Sequence, residues 1–311
     1  PRHILQYGDS AVLRRATAQF IISGGIRMAV FTNQATLSYG SGITNSNVVT
    51  GEVVSVLTAT KCALSTSYMP DGNITYIVSI VNSGTLDYDG VTITDNLGEY
   101  RLGANNFTPL DYIEGTVRYY KNGAEQTALH PTSTQPLVIQ DITVPAGGNA
   151  IILYEAKANG SAPPDRNGSI TNRAAITSPQ LTKPIDISDT IVCERRARLN
   201  ITKSICPASV VENSELQYTF VIQNSGNISA GADDDVVIND KFDPPLRSLT
   251  VELDGVPLTQ NSGYTYDSTT GEFATLAKVI TVPPAVFSQN SSTGSYTMTP
   301  GVSLLTVTGI V

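Results

Sequence analysis

Three consecutive aspartates, Asp233, Asp234 and Asp235, form the densest group of carboxylates in this sequence. Carboxylate oxygens bind calcium when a loop arranges them around the ion. The spacing of these three residues is not that of a known calcium loop. We therefore expect a solvated hairpin tip, with a weak calcium site as the alternative.

Residues that could perform catalysis are otherwise scarce. The two histidines are His3 and His130, and a lone histidine before a proline is typical of an exposed turn. The sequence has no nucleophile elbow, P-loop, dinucleotide-binding glycine motif or Cys-x-x-Cys pair. It predicts a protein that is not an enzyme and that holds neither a cofactor nor zinc.

The chain has three cysteines, Cys62, Cys193 and Cys206. This number is small and odd, so it does not indicate a disulfide framework. Cys193 and Cys206 flank the expected domain junction, where they could pair. The alternative is that they are free, partly buried thiols.

Charge and hydrophobicity each argue against one class of partner. Its formal net charge is −8, whereas nucleic-acid binding needs clustered lysines and arginines. The basic cluster at residues 195–198 is explained equally well by a solvated link between domains. No apolar run is long enough to span a bilayer, so we expect neither nucleic-acid binding nor membrane insertion.

The elements that must position any functional residue are strands. Only 15% of the residues are charged, and the frequent Thr, Ser, Asn, Val and Ile favour strands and turns. In residues 73–82, Ile74, Tyr76, Val78 and Ile80 fall on one face, which is the period of two typical of a strand. Many short strands separated by turns predict an antiparallel sandwich of immunoglobulin-like type.

An internal repeat organises the chain. Residues 58–84 align without a gap to residues 200–226, so that Lys61 matches Lys203 and both copies end in Asn-Ser-Gly. Further matches follow in the same order, VTITD with VVIND (91–95 and 236–240) and DITVP with VITVP (141–145 and 279–283). The sequence therefore predicts two tandem sandwiches.

Together these motifs resemble one family. A Thr-Lys strand, a Tyr-bearing strand ending in Asn-x-Gly, a hydrophobic-Thr-Asp strand and a Thr-Asn-x-Ala strand are similar to the bacterial surface repeats called domain of unknown function eleven. Neighbours of that family are the isopeptide-forming domains of fimbrial and collagen-adhesin proteins. The resemblance covers residues 31–311 and implies a scaffold on a cell surface, but it carries no activity with it.

The resemblance also implies one set of reactive residues. Isopeptide-forming domains join a lysine of the first strand to an asparagine of the last strand, beside a buried carboxylate that polarises the amide while the neutral lysine attacks. Lys61, Asn172 and Glu155 occupy such strands in the first repeat. The alternative is that Lys61 faces solvent and Asn172 makes turn contacts.

The second repeat offers only part of this set. Lys203 is present, and Asn33 would be its partner across the junction. The position that matches Glu155 lies near Thr308, so the sequence predicts no acid and disfavours a covalent bond there.

The last strand expected for the second repeat has its sequence counterpart at the other end of the chain. FTNQATLSY at 31–39 matches ITNRAAITS at 170–178, and each motif precedes a Lys strand by a similar distance. Residues 302–311 match residues 150–158, so the second repeat reaches its penultimate strand and lacks its last one. An incomplete sandwich exposes ladder edges and a strip of core, which another strand can fill.

We therefore predict that the N-terminal strand completes the second repeat, either in another subunit or in its own chain. The first arrangement builds a head-to-tail filament unless it closes into a ring. A third reading is that the second repeat folds with fewer strands. The assembly residues are Phe31, Asn33, Ala35 and Leu37, and the acceptor residues are Lys203, Leu304, Thr306 and Thr308.

The expected domain boundaries follow from the repeat. Residues 1–27 are an untranslated leader before a true start at Met28, or a disordered arm. Residues 28–57 hold the donor-like strand and a linker, residues 58–195 the first repeat, and residues 196–311 the incomplete second repeat.

We expect a structural or assembly protein of a bacterial cell or spore surface, such as a spore-appendage subunit, without a recognisable signal peptide or anchor. The alternative is an adhesin or carbohydrate-binding module. Such a module would bind a host or surface ligand through the strands near Tyr112, Tyr119 and Tyr120.

Overall fold

The computed structural model describes residues 28–39, 42–54 and 56–311, so the expected leader at 1–27 lies outside the described residues. The fold is all-β, as the sequence predicts. The described elements are strands apart from one short 3₁₀ turn at Ala232–Asp234. None of the helical residues described here forms a helix long and apolar enough to cross a membrane.

Residues 28–39 and 42–54 pair as an antiparallel β-hairpin, which we call the N-terminal hairpin. Its strands are β1 (Met28–Asn33), β2 (Thr36–Tyr39), β3 (Gly42–Asn45) and β4 (Val49–Val54). β1 pairs antiparallel with β4 and β2 pairs with β3, and within the described chain neither pair joins a third strand. The segment expected to be a linker is therefore mostly strand.

Repeat 1 is a sandwich of two sheets. Its strands are β5 (Leu57–Ala63), β6 (Ser67–Tyr68), β7 (Asn73–Asn82), β8 (Tyr88–Asp95), β9 (Tyr100–Leu102), β10 (Asn105–Phe107), β11 (Leu110–Tyr112), β12 (Arg118–Lys121), β13 (Ala124–Glu125), β14 (Ser133–Thr134), β15 (Leu137–Val144), β16 (Asn149–Ala158), β17 (Ser169–Thr177) and β18 (Ile185–Cys193). The first sheet has the order β13-β12-β16-β7-β5, with β11 also on β16, and the second has the order β14-β15-β8-β17-β18-β6. Pairing is antiparallel except between β18 and β6. The alternating residues of β7 predicted to share a face, such as Tyr76 and Val78, are fully buried in the core.

Repeat 2 has a separate hydrophobic core. Its strands are β19 (Leu199–Cys206), β20 (Glu215–Asn224), β21 (Asn239–Lys241), β22 (Arg247–Leu253), β23 (Val256–Pro257), β24 (Tyr264–Tyr266), β25 (Glu272–Thr275), β26 (Val286–Gln289), β27 (Tyr296–Thr299) and β28 (Gly301–Ile310). The sheet β23-β22-β28-β20-β19 repeats the order of the first sheet of repeat 1, strand for strand. The sheet β24-β25-β21 repeats only half of the second sheet.

Among the described residues, repeat 2 therefore lacks three strands of the second sheet, the counterparts of β17, β18 and β6, where the sequence predicts the loss of one. In repeat 1 the second sheet continues from β8 to β17 and then to β18, whereas in repeat 2 it stops at β21, the counterpart of β8. This leaves β21 with an open edge and leaves the inner face of β19 without a covering strand.

The predicted acceptor residues on β28 are corrected by this topology. β28 pairs with β20 on one side and with β22 on the other, so it has no free edge. Leu304, Thr306 and Thr308 also alternate with the buried residues Leu305 and Val307, which places them on the outer face of the sheet. The open positions lie instead on β19, which carries Lys203, and on β21.

The Asn-Ser-Gly motif of each repeat is fixed by its asparagine. Asn82 is 1% exposed; its Nδ2 donates to the carbonyl of Leu86 at 2.8 Å, and its Oδ1 accepts from the amide of Gly84 at 2.9 Å. Asn224 makes the same pair of bonds, to Ile228 and from Gly226. The repeated asparagine thus satisfies loop backbone that the sheets cannot pair.

Replacing Asn82 should destabilise repeat 1. Asn82→Ala leaves buried backbone groups unpaired, at a cost of about 1–3 kcal/mol for each group. Asn73→Ala, at the exposed start of the same strand, is the matched control and should have little effect. Chemical denaturation measures both, and equal free energies of unfolding for the two variants would contradict this role.

Candidate functional site

A lysine is buried inside repeat 1 by the alternation of β5. Leu57, Ala59, Lys61 and Ala63 point inward, whereas the threonines between them face solvent. The side chain of Lys61 is 0% exposed. Its Nζ lies 4.9 Å from the ring centroid of Tyr76, which stands on the neighbouring strand β7.

The buried lysine is paired across the sandwich. Asp95, the last residue of β8, has a side chain that is 0% exposed and accepts a hydrogen bond from Lys61 Nζ at 2.5 Å through Oδ2. The hydroxyl of Tyr154 on β16 donates to the same oxygen at 2.5 Å. The amide of Leu97 donates to the other oxygen, Oδ1, at 2.9 Å. Both carboxyl oxygens are therefore engaged.

An asparagine completes the cluster. Asn172 on β17 is 0% exposed, and its Nδ2 donates to the hydroxyl of Tyr154 at 3.2 Å. Its Oδ1 accepts from the backbone amide of Gly98 at 3.2 Å. Lys61, Asp95, Tyr154 and Asn172 thus form one hydrogen-bonded cluster, which we call the repeat 1 cluster, with residues from both sheets.

Burial shifts the pKa values of Lys61 and Tyr154 in this cluster. Desolvation lowers the pKa of Lys61, and the nearby carboxylate of Asp95 opposes this shift. Burial likewise raises the pKa of Tyr154 well above its ordinary value, with a further contribution from Asp95. Tyr154 therefore stays protonated and acts as a donor, and the lysine is moved toward the neutral form that a nucleophile requires.

The structure places Lys61 and Asn172 in the same cluster, but it corrects the acid. Glu155 lies next to the inward-facing Tyr154 on β16, so the period-two alternation turns it to the other face of the sheet, where it is half-buried. Its backbone bonds to the loop at Ile113 and Thr116 instead. The carboxylate at the site is that of Asp95.

Repeat 2 contains the same pair of charges in an open setting. Lys203 on β19 donates a short hydrogen bond to Asp240 on β21, and the two side chains are 37% and 19% exposed. Lys203 Nζ also lies 4.3 Å from the ring centroid of Tyr218 and 5.4 Å from that of Phe242. The expectation that repeat 2 has no acid is therefore wrong.

Sequence could have located both acids. VTITD and VVIND align so that Asp95 and Asp240 take the same position on the equivalent strands β8 and β21. Asp95 is also in phase with the buried Val91 and Ile93 of β8. The missed signal is that alternation places these aspartates inside, whereas it places Glu155 outside.

The N-terminal hairpin corresponds to the β17–β18 hairpin. Counted back from Lys61 and Lys203, residues 43–52 match residues 185–194 without a gap, and Asn33 matches Asn172. Both segments fold as antiparallel hairpins. The repeat predicts the first of these two strands, whereas the composition of residues 40–55 predicts a linker where the second strand lies.

Apolar side chains of the N-terminal hairpin are exposed where their counterparts are covered. Leu37 is 61% exposed and Val49 is 55% exposed, whereas the matching Ile176 and Ile191 are 0% exposed. The side chains of Asn33 and Ala35 are exposed too, whereas Asn172 and Ala174 are buried. Nothing is described for the side chain of Phe31.

The other candidate sites are not assembled. Asp234 Oδ2 accepts the amide of Gly231 in the 3₁₀ turn, and the aspartates at 233–235 are exposed. Over residues 28–39, 42–54 and 56–311, no group of three or more His, Cys, Asp or Glu could hold a metal ion. The three cysteines are free, with Cys193 buried and Cys206 exposed.

Comparisons with known proteins do not identify a family. No family model matches the sequence, and no curated protein matches it. The solved major pilin subunit of Bacillus cereus is similar at 12% identity and a TM-score of 0.35, over 87% of this chain and 73% of that chain. The pilus backbone of Streptococcus pneumoniae is similar at 11% identity and a TM-score of 0.33, over 78% and 55%. The collagen adhesin of Staphylococcus aureus is similar at 13% identity and a TM-score of 0.30, over 54% and 64%. Similarities at these scores carry no argument about function.

Removing the carboxylate of Asp95 should destabilise the protein far more than removing the carboxylate of Glu155. Asp95→Ala leaves a buried lysine and a buried hydroxyl without their acceptor, at a cost of about 3–5 kcal/mol. Glu155→Ala, on β16 of the opposite sheet, should cost less than about 1 kcal/mol. Denaturant unfolding of both variants makes the comparison, and a larger loss for Glu155→Ala would restore it as the site acid.

Proposed function

We propose that this protein is a non-enzymatic structural subunit that assembles head to tail by strand exchange. The N-terminal hairpin of one copy completes repeat 2 of another. Its place on a bacterial cell or spore surface rests on the motif resemblance, and the assembly mechanism rests on the geometry of the chain itself.

The observation that carries the proposal is a match between two unfinished halves. In the described chain the N-terminal hairpin joins no third strand, and repeat 2 has no counterpart of the β17–β18 hairpin. Repeat 1 supplies the template, because there β17 pairs with β8 and places Ala174 opposite Asp95. The same register in the assembly places Ala35 opposite Asp240.

The acceptor surface has the apolar character that this docking requires. The inward row of β19 is open, with Leu199 39%, Ile201 48% and Ile205 41% exposed. In repeat 1 the matching row begins with Leu57, which is 1% exposed, and continues with half-buried alanines. Covering such side chains contributes about 25 cal/mol per Å² of apolar surface removed from water.

A backbone contact supports the same arrangement. In repeat 1 the carboxylate of Asp189 on β18 accepts the amide of Ala63 on β5 at 2.7 Å. The gapless match places Asn47 at the position of Asp189 and Ile205 at that of Ala63. The side-chain carbonyl of Asn47 can accept the same bond from Ile205.

The connection between elements favours exchange between copies over closure within one chain. In repeat 1 the β17–β18 hairpin leads through residues 194–198 into β19 of repeat 2. The N-terminal hairpin leads into β5 of repeat 1 through residues 55–56. When it docks on repeat 2 of another copy, the junction between copies reproduces the junction between repeats, and the array continues without a break.

The adhesin alternative is less well supported. Tyr119 is 5% exposed, and its hydroxyl is bound to the carbonyl of Thr143 at 2.7 Å. Tyr112 and Tyr120 are half-buried. These three tyrosines therefore present no open aromatic platform for a sugar ring.

Within the subunit, the repeat 1 cluster supports an isopeptide bond between Lys61 and Asn172. The neutral amine attacks the side-chain carbonyl carbon of Asn172, Asp95 relays a proton, and ammonia leaves. Such a bond would join the two sheets of the sandwich covalently, through β5 and β17, and suit a subunit under tension.

The intact mass tests this bond. Loss of one ammonia should lower the mass of the chain by about 17 Da, because attack by the lysine amine expels the amide nitrogen. Asp95→Ala should restore the full calculated mass, whereas Glu155→Gln should keep the reduction. A full calculated mass for the unmodified protein would exclude the bond in repeat 1.

Assembly should depend on the inward face of the N-terminal hairpin. Leu37→Lys places a charge where repeat 2 must be covered, so it should leave monomers where the unmodified chain forms filaments. Thr50→Lys is the control, because its counterpart in repeat 1, Val192, is exposed. Light scattering and electron microscopy distinguish the states.

Two outcomes would contradict assembly by exchange. One is filament formation by Leu37→Lys equal to that of Thr50→Lys. The other is an unmodified chain that stays monomeric over all concentrations, which would indicate closure within one chain.

A further inference from the structure

We infer that the open pair Lys203–Asp240 is a second, unfinished isopeptide site, which closes between copies when Asn33 of the docked hairpin reaches Lys203. This inference rests on the proposed strand exchange and adds a covalent step to it. The assembled fibre would then carry a covalent bond at each junction.

The two repeats hold the same reactive pair at equivalent positions. Lys61 and Lys203 occupy the same position of β5 and β19, and Asp95 on β8 matches Asp240 on β21. Each lysine donates to its aspartate across the sandwich. Repeat 1 adds Asn172 from β17, and the described part of repeat 2 contains no counterpart of β17.

The N-terminal hairpin brings the missing amide. Asn33 matches Asn172 in the Thr-Asn-x-Ala motif. With β1 and β2 docked in the register of β17, Ala35 lies opposite Asp240, and Asn33 takes the position that Asn172 has beside the lysine and the aspartate. The side chain of Asn33 is exposed in the isolated chain and therefore available.

Docking also supplies the activation that the open pair lacks. Lys203 and Asp240 have side chains that are 37% and 19% exposed, whereas both members of the pair in repeat 1 are 0% exposed. Water therefore reaches the open pair, whereas burial in a closed sandwich disfavours the charged form of a lysine, which is not nucleophilic. Covering the pair with the hairpin removes that water, so the reaction begins only after assembly.

Both lysines lie over aromatic rings, but repeat 2 has no counterpart of the Tyr154 hydroxyl. The position of Tyr154 is taken by Val307, which lies opposite Tyr218 as Tyr154 lies opposite Tyr76. Lys203 Nζ instead contacts the faces of Tyr218, Phe220 and Phe242. These rings provide apolar surroundings for the lysine, and the docked hairpin covers the face that is open to water.

The step balances without a further reactant. The neutral Nζ of Lys203 attacks Cγ of Asn33, forming the new C–N bond. Asp240 takes a proton from the attacking nitrogen and delivers one to Nδ2 of Asn33. The Cγ–Nδ2 bond then breaks, ammonia leaves, and Asp240 returns to its starting state.

The test is a heat-denatured, reduced gel of the assembled full-length protein, with intact and peptide mass spectrometry. We expect a ladder of multimers, each junction lighter by about 17 Da for the ammonia lost, and a branched peptide joining Asn33 to Lys203. Asn33→Ala, Lys203→Met and Asp240→Ala should each abolish the ladder. Asp234→Ala, on the exposed 3₁₀ turn, is the control and should leave it unchanged.

Mixing two variants tests the direction of the bond. Asn33→Ala retains a reactive Lys203, and Lys203→Met retains Asn33, so neither forms a ladder alone. Together they should give a covalent dimer and nothing larger. A ladder from Asn33→Ala alone, or no covalent dimer from the mixture, would overturn the assignment.

Electron microscopy separates this inference from the function on which it rests. Filaments of Asn33→Ala that dissolve in denaturant, beside unmodified filaments that do not, support both. Unmodified filaments that dissolve completely into single chains overturn the bond and leave strand exchange standing. A monomeric chain that is lighter by one ammonia, with the bond between its own Asn33 and Lys203, overturns both.

Discussion

A β-sandwich is stable only when each of its sheets covers the inner face of the other, and this constraint governs the whole chain. Repeat 1 satisfies it with two complete sheets and a fully buried core. Repeat 2 satisfies it only in part, because its second sheet stops at β21 and the inner face of β19 stays open. The N-terminal hairpin has the opposite deficit, since it carries an apolar face and no sheet to cover. Strand exchange resolves both deficits with one contact.

The same constraint explains where the charges lie. A lysine on the inner face of a closed sandwich needs a partner, and repeat 1 provides Asp95 from the opposite sheet together with Tyr154. Leaving either charge alone in that core would cost several kcal/mol. In repeat 2 the equivalent pair, Lys203 and Asp240, remains partly exposed to solvent because the sandwich is open.

Much of this arrangement could be predicted from the sequence, because alternation and repeats are local signals. The all-β fold, the burial of the Tyr76 face and the displaced phase of the Thr-Asn-x-Ala strand all follow from residue spacing. Glu155 is wrong as the site acid because β16 alternates. Tyr154 points into the core, so its neighbour Glu155 faces the other side of the sheet. The prediction that repeat 2 has no acid looked at Thr308, the position on β28 that matches Glu155. The acid lies on a different strand, at Asp240 of β21.

Sheet order was the part that spacing could not provide. Residues 40–55 are rich in Gly, Ser, Thr and Asn, so composition indicated a linker, yet most of them pair as β3 and β4. The position of β28 between β20 and β22 is likewise a long-range property, and it moved the open edge to β21. Such pairings depend on contacts between distant residues and leave only weak local signals.

The most direct test of the account is hydrogen exchange of the backbone amides as a function of protein concentration. Strand exchange predicts that amides of residues 33–38 and of Asn239–Lys241 exchange quickly in dilute protein and become protected together in assembled protein. Amides of β16, which is paired on both sides within repeat 1, serve as the internal reference. Unchanged exchange of both segments upon assembly would contradict the account.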